Sequence, residues 1–70
     1  MTVEEKLILM SERDIKDFNK KIKNNMEMLN KAEKNCNYKN YKMALQRIEN
    51  YKKIIVEIEQ QMEKIRGWDN

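Results

Sequence analysis

The stretch that decides the fold runs from Tyr41 to Ile65, YKMALQRIENYKKIIVEIEQQMEKI. Within it Tyr41, Ala44, Ile48, Tyr51, Ile55, Ile58, Met62 and Ile65 recur at alternating spacings of three and four. A helix turns once every ~3.6 residues, so these eight side chains share one stripe, the a and d positions of a heptad. Lys42, Glu49, Lys53, Glu57 and Glu63 fall between them, on faces left to water. Lys64 and Arg66 occupy the last turn, where cations complement the helix dipole. Gly67 follows the last periodic residue and predicts a left-handed helix end, with Trp68 folding back onto Met62.

Working outward, the first half carries a second heptad series in a different phase. Ile8, Ile15, Ile22, Leu29 and Cys36 recur every seven residues, and their partner positions Ser11, Phe18, Asn25 and Ala32 are less apolar. Thr2 and Glu5 have the spacing of a capping box, which starts this helix at about Val3. Ser11 with Asp14 has the form of a second, internal cap, so a break is expected to compete there. A short strand over Lys6 to Met10 would lack a partner strand. Continuing the first series past Cys36 reaches Met43, Asn50 and Glu57, so one uninterrupted seam does not run through the chain. Cys36 itself reads as a small, half-buried apolar residue beside the turn.

The phase change falls at Asn35 to Asn40, where three Asn residues supply capping and turn chemistry. The expected fold class is therefore all-α. Residues 1–70 form one helical-hairpin domain, with helices at about 3–34 and 41–66 and a turn at 35–40. Surplus apolar residues lie off both seams: Leu7, Leu9, Met10, Met26 and Met28 in the first helix, Leu45, Ile54 and Val56 in the second. A two-helix hairpin has little core of its own, so a homodimer closing a four-helix bundle is expected. Residues 1–19 carry five acids and three bases, residues 20–53 ten bases and three acids, and residues 54–70 four acids and two bases. A basic turn end and an acidic open end favour pairing two hairpins head to tail.

Composition excludes much chemistry. With 40% hydrophobic residues and a net charge of only +3, the chain does not have the balance of a disordered segment, although 39% of residues are charged. It has no His, one Cys and one Gly, so zinc sites, nucleophile–base pairs and glycine-rich phosphate loops have no material. Glu59 with Glu63, and Asp14 with Asp17, pair carboxylates without the E-x-x-H motif of a di-metal bundle. No enzyme activity, metal or cofactor is expected. Asn-Tyr-Lys recurs at 37–39, 40–42 and 50–52, but Tyr41 and Tyr51 belong to the seam and only Tyr38 is free to stack. The opening residues lack a signal-peptide core, no stretch is long enough to span a bilayer, and the seams are too narrow for a membrane-surface helix. A single Cys suits a reducing compartment, so a cytoplasmic location is expected.

Two functional readings remain. In the first, the chain is a non-enzymatic protein–protein interaction module, a helical adaptor or inhibitor of the kind phages and other mobile elements encode. It would meet a larger protein partner through Leu7, Leu9, Met10, Met26, Met28, Ile54 and Trp68. In the alternative, the basic turn region binds RNA or DNA through Lys20, Lys21, Lys23, Lys31, Lys34, Lys39, Lys42 and Arg47.

Overall fold

A computed structural model describes residues 2–67. Two helices, α1 (Val3–Lys34) and α2 (Tyr38–Arg66), fold back on each other as an antiparallel hairpin. The molecule measures 52 × 17 × 10 Å along its principal axes, and its radius of gyration is 16.1 Å. A compact chain of this length would have about 11 Å, so the hairpin is a rod with most residues on its surface.

The start of α1 follows from its first residues. Thr2 Oγ1 accepts from the Glu5 backbone N–H at 3.2 Å, and Glu5 Oε2 accepts from the Thr2 N–H at 3.4 Å, completing the capping box. Glu4 and Glu5 lie in the positive first turn, Lys31 and Lys34 in the negative last one. The competing break at Ser11 is absent. Ser11 Oγ donates to the Leu7 carbonyl at 2.9 Å, one turn back, so its hydroxyl is satisfied inside the helix rather than capping a new one. Lys6 to Met10 is helical, not a strand.

Only three residues connect the helices, against the six expected at 35–40. The Asn37 N–H bonds the Ala32 carbonyl at 2.8 Å, and the Cys36 N–H bonds the Glu33 carbonyl at 3.2 Å. These are the paired bonds of a Schellman helix end, which requires a left-handed residue between its last two positions. Cys36 is that residue, with φ of 55°. It is exposed, so the half-buried apolar role expected for it is not what the fold uses. Asn37 then caps α2, its Oδ1 accepting from the Asn40 N–H at 3.3 Å. One asparagine thus closes one helix and opens the next, and Tyr38, Lys39 and Asn40 become the first turn of α2. At the far end Gly67 is helical, with φ of −77°, rather than left-handed. The expected contact of Trp68 with Met62 lies outside the described residues.

Both heptad series face each other. Lettering Ile8 and Tyr41 as a, every a and d position of α2 from Tyr41 to Ile65 is buried or half-buried. So is every one of α1 from Ile8 to Ala32, including the weaker residues Ser11, Phe18, Asn25 and Ala32. The Phe18 and Tyr51 rings, both at d, meet at 5.7 Å between centroids and set the register. Ala44 is only 1% exposed. Asn25 is buried as well: its Nδ2 donates to the Lys21 carbonyl at 2.8 Å, while its Oδ1 has no partner. Among the described residues the buried apolar set is Ala32, Ala44, Ile48 and Met62, so the seam is thin.

Two expected outcomes follow from this geometry. Asn25→Leu keeps the branching and removes a buried unpaired oxygen, so urea unfolding should show a gain of about 1–3 kcal/mol. A loss of stability would mean that the amide has a partner in solution. Cys36→Gly relieves the left-handed backbone of a residue with a Cβ and should add about 1 kcal/mol in the same assay. A destabilised variant would contradict the left-handed turn.

Candidate interaction surface

An antiparallel heptad pair has two broad flanks. Positions e and b of both helices share one, and positions g and c share the other. The contacts fix which is which. Arg66 and Glu12, both at e, approach to 4.0 Å across the first flank. Lys21, at g, places its Nζ 5.1 Å from the Phe18 ring centroid and 5.9 Å from that of Tyr51, roofing the d layer on the second. The Arg66–Glu12 pair is more than half exposed on both sides and adds little stability.

This geometry divides the residues expected to meet a partner. Leu9 and Met26 belong to the e/b flank, where they are joined by Leu45 and Val56; all four are exposed. Leu7, Met10, Met28 and Ile54 belong to the g/c flank. There Met10 and Met28 are exposed, while Leu7 and Ile54 are half-buried against the seam. Val3 and Met43, exposed at c positions, complete the apolar residues of that flank. Their signal in the sequence was the heptad letter, which has meaning only once the seam is known. Trp68 lies outside the described residues.

No family model, no curated protein and no solved structure matches the chain.

The eight basic residues expected to contact nucleic acid are all exposed. They do not converge: Lys20, Lys34 and Lys39 are at f, Lys23 and Lys42 at b, Lys31 at c, and Lys21 and Arg47 at g. A nucleic-acid strand tracks one groove or stripe of charge, and these positions circle the rod. Tyr38 is the freest tyrosine at 77% exposure, whereas Tyr41 and Tyr51 are half-buried in the seam. Beside the turn, an open depression of about 340 Å³ is lined by Ala32, Glu33, Cys36, Asn37, Tyr38 and Tyr41. Among the described residues no three His, Cys, Asp or Glu side chains gather where they could hold a metal ion. None of the described helices is long and apolar enough to cross a membrane.

Proposed function

We propose that this chain is a non-enzymatic protein–protein interaction module that works as a self-associated helical bundle, two hairpins packed into four helices. The observation that carries the reading is the imbalance between core and surface. Among the described residues four apolar side chains are buried, while Leu9, Met10, Met26, Met28, Met43, Leu45 and Val56 are each at least 40% exposed. Apolar side chains on both broad flanks of a thin rod are the mark of a surface meant to be covered. Methionine, flexible and polarisable, suits such adaptable contacts.

Pairing is expected to be head to tail, because the central, turn-proximal part of the chain carries ten bases against three acids and both terminal parts are acidic. A helical adaptor or inhibitor, of phage or other mobile-element type and acting in the cytoplasm, is the functional class this supports. The alternative, a nucleic-acid-binding regulator, draws less support because its basic residues surround the rod instead of lining one face.

Sedimentation equilibrium from micromolar to millimolar chain should give twice the single-chain mass at the upper end. Single-chain mass throughout would remove the bundle. At dimer concentrations, oxidation should yield little Cys36–Cys36 crosslink, since head-to-tail pairing keeps the two turns about a helix length apart; efficient crosslinking would reverse the orientation. Affinity capture with and without nuclease separates the two functional classes. A protein retained after nuclease treatment fits the module, and a nuclease-sensitive catch fits the alternative.

A further inference from the structure

We infer that the g/c flank, and not the e/b flank, is the face that meets a second copy of this chain, in a head-to-tail dimer with full overlap. The inference rests on the self-association proposed above and adds to it the face and the residue pairing.

Size is adequate. The broad face of the hairpin, 52 by 17 Å, covers roughly 900 Å². A stable specific interface takes about 800 Å² from each partner. The face is also graded along its length. The open half of α1 presents Leu7 and Met10, then Asp14 and Asp17; the turn half presents Lys21, then Met28. In α2 the turn half carries Arg47 and the open half Glu57, with Ile54 near the middle.

A two-fold axis across the helices sets each helix on its own copy, reversed. For α1, which runs from 3 to 34, full overlap makes residue numbers at one level add to 37. Leu7 and Met10 then fall level with 30 and 27 of the second copy, on either side of its Met28. Asp14 and Asp17 fall level with 23 and 20, on either side of its Lys21. The same axis crosses α2: with the turn centred on 36, level residues of the hairpin add to about 72, so level residues of α2 and its copy add to about 107. Arg47 then falls about one turn from Glu57 of the second copy, and Ile54 lies beside its own copy at the axis. In these pairs apolar residues meet apolar residues and acids meet bases, whereas at the ends of the face Val3 falls level with Lys34, Lys31 with Lys6, and Met43 beside Gln61 and Lys64.

The competing same-end dimer, with its axis along the helices, sets α1 on α2 of the second copy. With the turn centred on 36, it brings Lys21 within about one turn of Arg47 and Asp14 beside Glu57. Like charges then face each other in both halves, which an interface disfavours. On the e/b flank the same head-to-tail pairing sets Lys42 near Glu63, but it leaves Lys52 next to its own copy at the axis and Lys16 beside Lys23 of the second copy, so like charges meet at the centre of that face.

Met26 and Met28 provide a matched test, being two residues apart, 53% and 48% exposed, and on opposite flanks. Sedimentation of the full chain should show Met28→Lys weakening self-association tenfold or more, with Met26→Lys within about twofold of wild type. Far-UV circular dichroism checks that both remain helical. A charge exchange then tests the pairing. Asp14→Lys with Asp17→Lys in one chain, and Lys21→Glu in another, should each weaken association several-fold, and an equimolar mixture should restore it. If wild type dimerises but Met26→Lys is the damaging change, or the mixture shows no recovery, the face and pairing are overturned while self-association stands. If wild type stays a single chain at millimolar concentration, both fall together.

Discussion

Everything in this molecule depends on one seam, the strip along which the a and d residues of α2 lie against those of α1. Hydrophobic burial is the main favourable term in folding, and here a single strip supplies it. The seam's composition is uneven. Eight apolar positions on α2 face a series on α1 that includes Ser11 and Asn25, so α2 provides most of the apolar surface and α1 accommodates it. The Phe18–Tyr51 contact pins the register, and Lys21 closes over both rings, its charged end kept in water. Asn25 is buried in this seam with its Oδ1 unpaired, so the asparagine gives up one hydrogen bond to be there. A buried polar residue in a heptad commonly fixes register at some cost in stability.

The seam also explains why the rest of the surface is unusual. Two helices can hide only their facing stripes, so apolar residues at other heptad positions remain in water until something covers them. Such a rod has a short list of remedies, and packing against another helical pair is the one its shape allows without change. The antiparallel fold of a chain whose charge is acidic, basic and acidic again converts a sequence pattern into a dipolar rod. In the proposed dimer, that field would orient a second rod before any close contact forms.

Much of the fold was legible in the sequence because it rested on periodicity and local capping. The α2 stripe, the phase change and the Thr2–Glu5 capping box are local patterns with local causes. The turn was less legible. Three asparagines between 35 and 40 all signal turn chemistry, and nothing in their spacing says that Asn37 would serve both helices, leaving Cys36 to take the left-handed position that Gly or Asn usually fills. Gly67 misled for the opposite reason: its presence invites a left-handed end that the backbone does not adopt, and a Cβ there would meet nothing within 4 Å. Ser11 could have capped forward or bonded back, and the packing of its neighbours Ile8 and Ile15 into the seam keeps the helix continuous. Of the surface, the residue names were readable but their grouping was not. Met26 and Met28 look equivalent in sequence and lie on opposite flanks, a distinction that exists only after the two helices have been set in register.

Small-angle scattering across a concentration series tests the central claim, that this hairpin is completed by a second copy laid along its side. For a side-by-side dimer the mass from forward scattering doubles while the maximum dimension stays near the hairpin's own length, 52 Å between backbone extremes. A mass that remains that of one chain, or a doubled mass with a length near twice that value, would contradict it.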